Sequence, residues 1–128
     1  MNRHIGVIGS FLLVASAFLL TVKVAAAQDP AKVGPDVYKV VFENARVRVS
    51  EATFKPGAKI KMHSHPDHFV YPLTAGKLKI TKADGNAQEA EVQPGKVMWM
   101  AAETHKGQNV GESEVKLLVV ELKEEPKK

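Results

Sequence analysis

The sequence predicts an all-β protein, a small antiparallel sandwich or barrel, and three observations carry that expectation. Short runs such as Ala45-Arg46-Val47-Arg48-Val49-Ser50-Glu51 and Lys77-Leu78-Lys79-Ile80-Thr81-Lys82 alternate apolar with polar residues. Side chains that alternate in this way point to opposite faces of a strand, one packed and one wet. Turn signals separate the runs at short intervals: Glu43-Asn44, Lys55-Pro56-Gly57, Ala75-Gly76, Ala83-Asp84-Gly85-Asn86, Gln93-Pro94-Gly95 and Asn109-Val110-Gly111. After residue 27, no stretch sustains a helical period.

Each segment can be read in order. Met1-Asn2-Arg3-His4 is followed by an apolar run from Ile5 to Val22 and then by Lys23-Val24-Ala25-Ala26-Ala27. A basic start, an apolar middle and an Ala-x-Ala end are the parts of a secretory signal peptide, so residues 1–27 are expected to be cleaved and the chain exported, periplasmic or secreted. The competing reading is a retained membrane anchor, because the run approaches the length of a spanning helix. Glycines 6 and 9 and Ser10 weaken such a helix, which favours cleavage and leaves no membrane segment in the mature chain. With no cysteine in the sequence, a lipoprotein anchor and disulfides are both excluded, and stability must come from the core. Residues 28–36, with two prolines, read as a mobile polar linker.

The domain proper is expected over 37–122. Val37 to Phe42 and Ala45 to Glu51 form two early strands, and a third begins near Ala58. Pro72 falls where another strand is expected; since proline cannot donate to a ladder, it marks an edge, a bulge or a bend. Glu114 to Leu122 reads as a strand buried on both faces in its middle. Residues 123–128 are a charged tail. At 128 residues with 45% hydrophobic side chains, there is room for one domain and one core. Removing the leader takes Arg3 and Lys23 and leaves 16 basic and 14 acidic side chains, a net of +2. The remaining lysines interleave with acids, and only Arg46 and Arg48 remain, so a nucleic-acid surface is not expected.

Five histidines are present, and three of them fall between residues 63 and 68. His63 and His65, two apart at a strand end, project from one face and can share one ion. His68 lies at the opposite parity and is expected at the rim, whereas Phe69 returns to the face of the pair. Asp67 reads as a turn residue after Pro66. His105, after Val97-Met98-Trp99-Met100-Ala101-Ala102-Glu103-Thr104, ends another strand and could meet the pair from across a barrel. Trp99 shares its parity and is therefore expected to face the pocket in preference to Met98 and Met100. Glu103 is a further rim residue.

At these residues the chain resembles the cupin superfamily. Gly57, five residues, His63, one residue, His65 and finally Gly76 is similar to the family's first motif, Gly-x5-His-x-His-x3or4-Glu-x6-Gly. Gly95, Trp99, Ala101 to Thr104, His105 and Asn109 resemble the second, Gly-x5-Pro-x-Gly-x2-His-x3-Asn. Phe69 stands at the family's glutamate position, Ala101 and Glu103 at its Pro and Gly positions, and His105 comes one residue early. The resemblance implies a jelly roll, or double-stranded β-helix, with one metal or ligand site inside. Carried over, it implies His63, His65 and His105 as ligands of a divalent transition metal: iron, zinc, nickel, copper or manganese. Without the carboxylate, the ion keeps its full charge and more strongly acidifies a bound water or attracts an anion. Phe69, Tyr71 and Trp99 would line an apolar pocket for a small-molecule ligand.

Three functions follow. The foremost is an exported metal-binding cupin that holds a small molecule, because no general base, nucleophile or substrate-clamping arginine is visible. The second is an iron-dependent dioxygenase-type oxidoreductase, the activity of related three-histidine cupins. The third is a metal-free β-barrel binding protein. The edges of small barrels also pair readily, so a homodimer is a further expectation.

Overall fold

In a computed structural model, which describes residues 28–124, nine antiparallel strands follow one helical turn. The turn α1 spans Pro30–Val33; the strands are β1 (Tyr38–Glu43), β2 (Val47–Phe54), β3 (Lys59–His65), β4 (His68–Pro72), β5 (Gly76–Lys82), β6 (Ala87–Val92), β7 (Met98–Met100), β8 (Glu103–Asn109) and β9 (Val115–Leu122). Two sheets form, one in the order β1-β2-β9-β4-β7 and the other β3-β8-β5-β6. This is the all-β jelly roll expected from the sequence. The signal-peptide reading of residues 1–27 and the last four tail residues lie outside the described residues. Among those described, no helix is long and apolar enough to cross a membrane.

The alternation within each strand determines which residues pack between the sheets. β9 turns Val115, Leu117 and Val119 inward, and all three are buried. β2 contributes Ala52 and Phe54, β3 Ile60, β4 Val70, β5 Leu78 and β6 Val92. These apolar residues fill one end of the barrel, and the histidines occupy the other. Two glycines are required locally. Gly57 makes its turn at φ +78°, a conformation that L side chains rarely adopt. At Gly76 the backbone of β5 lies so close to Val115 that a Cβ would overlap its methyl group.

Two segments differ from expectation. Residues 28–36 are docked rather than forming a loose linker. Asp29 caps α1 through the Ala31 N–H at 2.9 Å, its other oxygen pairs with Arg48 at 2.8 Å, and the Gln28 carbonyl accepts from Ser64 N–H. Pro30 is buried. A capped turn with an ion pair to β2 has more holding it than its proline content suggests. The start of the tail is also tied down, since Lys123 donates its N–H to the Arg46 carbonyl and its ammonium lies 2.6 Å from Glu43. Pro72 is neither at an edge nor at a bulge: it is the buried last residue of an interior strand, and its carbonyl accepts from Gly95 N–H.

Candidate metal centre

β3 and β8 pair with His63 directly opposite His105. The inward parity of β3 adds His65, so one strand pair brings three imidazoles to one end of the barrel. Their candidate ligand atoms lie within 4.8 Å of one another and all three residues are buried. The His63 ring centroid is 4.8 Å from those of both His65 and His105. The structure thus brings together His63, His65 and His105.

His68 is corrected from the rim to the interior. It is 1% exposed, and its ring lies 4.6 Å from that of His65. Phe69 and Tyr71 are corrected in the opposite sense: β4 turns His68 and Val70 inward, and the two aromatic rings point outward. Trp99 is 60% exposed, while its neighbours Met98 and Met100 line the cavity. Both corrections have one cause. The expected parity runs from His65 through Pro66-Asp67, and between Trp99 and His105 through Ala101-Ala102. At each of these turns the chain leaves one sheet for the other, and the two-residue period does not survive the crossing.

Every one of the four histidines has its Nδ1 anchored. His63 donates to the Lys61 carbonyl and His68 to the Pro66 carbonyl, each at 2.7 Å. His65 donates to Glu121 and His105 to Glu103, each at 2.6 Å. These bonds place the proton on Nδ1 and leave each Nε2 with a free lone pair, the tautomer a metal ligand needs. His63 Nε2 is buried without any hydrogen-bond partner. Such an atom costs roughly 1–3 kcal/mol unless something supplies the missing bond. A divalent metal would, so the donor set fits the ion the fold implies.

Burial shapes the electrostatics. It pushes the His63 pKa down to about 4, and it also lowers those of His68 and His105. Those three rings are therefore held neutral at pH 7, the form in which an imidazole binds a metal. The site is less positive than the loss of a carboxylate at position 69 implies, because Glu121 and Glu103 stand one hydrogen bond behind two of the rings. Glu103 sits beside the candidate ligand His105 rather than on the rim, and its second oxygen lies 3.8 Å from the Lys82 ammonium.

Two residues were missed. Glu121 is 5% exposed; its signal was present in the sequence, because it shares the inward parity of Val115, Leu117 and Val119. Tyr38, read only as part of a strand, is buried with its ring 5.7 Å from that of His63. Burial and the Glu121 charge raise its pKa and keep its phenol protonated. Asp67 has the turn role expected, accepting from Ala102 N–H at 2.7 Å and so tying the two sheet-crossing turns together. Asn109 is structural, donating to the carbonyls of Phe54 and Ser113. The four rings, Tyr38, the two methionines and the aliphatic core line a cavity of about 110 Å³.

The comparisons agree with this fold. The cupin domain family matches residues 50–121, more than half of the chain. The chain belongs to the cupin domain family. A cupin domain from Bordetella pertussis Tohama I is 27% identical, with a TM-score of 0.64 over 69% of this chain and 93% of that one. A cupin superfamily protein from Desulfitobacterium hafniense DCB-2 is 20% identical (TM-score 0.53; 69% and 77% covered). An RmlC-like cupin from Methanocaldococcus jannaschii is 12% identical (TM-score 0.56; 67% and 78% covered), and these last two show the shared fold alone. No curated protein matches. This cupin thus has the expected fold and a histidine cluster that could hold a metal, with His68 facing the same cavity.

Proposed function

We propose that the protein is an exported metal-binding cupin, released to the periplasm or medium, whose His63, His65 and His105 hold a divalent transition metal and whose cavity takes a small molecule at that ion. The observation that carries this reading is the orientation of the rings: four Nδ1 atoms are engaged by carbonyls or carboxylates, and His63 Nε2 is buried without a partner. A bound divalent ion would act as a Lewis acid towards an oxygen-bearing ligand. Imidazole donors suit iron, zinc, nickel, copper or manganese, and the set does not choose among them. Lined by Val70, Met98, Met100, Leu117 and Val119 above the rings, the cavity admits a compact ligand with an apolar body and one metal-seeking end.

The test is elemental analysis of the protein purified from its full-length gene, beside His63→Ala, His65→Ala and His105→Ala. One metal per chain is expected in the wild type and a large loss in each variant; metal content unchanged by all three would sink the reading. The dioxygenase alternative is favoured by the same apolar wall, which suits oxygen. Oxygen uptake by the iron-loaded protein with small thiols or β-diketones separates turnover from binding.

A further inference from the structure

One polar side chain in the barrel cavity takes no part in anchoring the imidazoles. Tyr38 is 7% exposed and lines that cavity. Apart from it and the four imidazoles, every side chain on the wall is a hydrocarbon or a methionine thioether, so among the described residues its phenol is the one hydroxyl there. No described residue accepts a hydrogen bond from it, whereas the hydroxyl of a buried tyrosine usually finds a partner. Glu121, whose charge is felt at the phenol, is already engaged by His65 at 2.6 Å. Backbone and ring contacts hold Tyr38 in place instead. Its N–H donates to the Gly34 carbonyl at 2.8 Å, which ties β1 to the docked turn α1. It pairs with Ala52, and its ring meets that of Phe54 edge-on at 6.3 Å and 82°. The ring lies 5.7 Å from that of His63 and 5.9 Å from that of His65, beside two of the candidate ligands.

We propose, resting on His63, His65 and His105 as ligands of a divalent ion, that Tyr38 is the second anchor of the ligand site and that the site takes a short aliphatic monocarboxylate. One carboxylate oxygen goes to the ion, the other accepts from the phenol, and the tail lies among the apolar side chains. Three properties of the cavity select this class. The first is charge. Neutral imidazoles leave the ion its full charge, and Glu121 and Glu103 stand behind the rings and outside the cavity wall, so an anionic head is favoured. The second is the donor. A phenol with an ordinary pKa of about 10 is protonated at neutral pH, and burial moves this one further up. It donates and a carboxylate accepts, in a charge-assisted hydrogen bond. The third is space. About 110 Å³ walled by Val70, Leu117, Val119 and two methionines admits a tail of a few carbons and disfavours a second polar group.

The experiment is titration of the cobalt-loaded full-length protein with 3-methylbutanoate and with 3-methylbutane-1-thiol, followed in the cobalt absorption bands. The two probes share a tail, and the thiol has no second atom to accept from the phenol. Tyr38→Phe keeps the ring and its contacts; Tyr71→Phe, on the outward side of β4, is the control. Tyr38→Phe should hold cobalt at the wild-type ratio and bind the carboxylate about 10- to 100-fold more weakly, the effect of losing a hydrogen bond to a charged group. Its thiol binding should match the wild type, which also shows that the variant is folded, and Tyr71→Phe should match the wild type with both probes. Undiminished carboxylate binding in Tyr38→Phe overturns the proposal, as does an equal loss for both probes, which would make Tyr38 a filler of the wall. A wild type that holds cobalt but binds no carboxylate overturns the ligand class and leaves the metal reading intact. Failure to take up cobalt overturns both, and shows in the elemental count before any titration.

Discussion

His65 and Glu121, 56 positions apart in the chain, meet at 2.6 Å with both side chains buried. β3 and β9 belong to different sheets, so this hydrogen bond spans the barrel interior and sets the ring of a candidate ligand from behind. Removing its acceptor tests the site without removing a ligand. Glu121→Gln should weaken metal binding by about 10-fold, within the range for partners that orient a ligand, with little change in the melting curve. Chelator competition measures it, and wild-type affinity in the variant would mean that Glu121 serves packing alone.

His68 differs from its neighbours in lying on β4, across the cavity from the β3–β8 pair. If it adds a fourth nitrogen, His68→Ala should retain metal at full stoichiometry but release it to a chelator roughly ten times more readily, whereas His105→Ala should purify nearly metal-free. Identical release by His68→Ala and wild type would restrict His68 to the wall of the cavity.

Stability of the metal-free protein should depend on pH in a defined window. The His63 pKa is about 4 in the fold against an ordinary value near 6.5. Between those values the unfolded chain binds more protons than the folded one, so stability rises with pH and is lost as pH falls from about 6.5 to about 4. His68 and His105 shift in the same direction. Together they should lower the urea midpoint of chelator-stripped protein between pH 7.5 and pH 5. A flat midpoint over that range would show that the buried rings are not held neutral.

Phe69 provides a test of orientation. Because it faces outward beside Trp99 and Val120, Phe69→Glu should leave metal content unchanged. Tighter metal retention would instead put position 69 beside the ion, where the sequence motif alone places it.

Gly76→Ala probes the closeness of β5 to Val115. The added methyl overlaps Val115, which is fully buried, so a loss of about 1–3 kcal/mol is expected, seen as a fall of about 4–8 °C in melting temperature per kcal/mol. An unchanged melting curve would mean that Val115 repacks without cost.

Much of the fold was legible because strand alternation is local. The parity that buries Ala52, Ile60, Leu78 and Leu117 can be counted along each strand, and the prolines and glycines mark the turns. The pair His63 and His65 was legible for the same reason, whereas His105, expected at a strand end, stands inside β8 and was legible only through its resemblance to the second motif. What misled was parity carried across a turn. Met98 and Met100 replaced Trp99, and His68 and Val70 replaced Phe69 and Tyr71, because Pro66-Asp67 and Ala101-Ala102 each take the chain from one sheet to the other.

The sequence by itself therefore determined most of the strands, the inward side of those whose parity is counted within one strand, and the histidine pair together with its partner at position 105. The strands and the pair follow from the two-residue repeat and from turn chemistry, which act over a few residues, and position 105 from the resemblance to the second motif. Only the tertiary structure decided that His68 joins the interior, that Glu121 and Glu103 stand behind the rings, and that Gln28 to Asp29 dock on the barrel. Those relationships depend on inter-sheet register, on which strands become neighbours, and on where each turn releases the chain. They are set by the packing of the barrel as a whole.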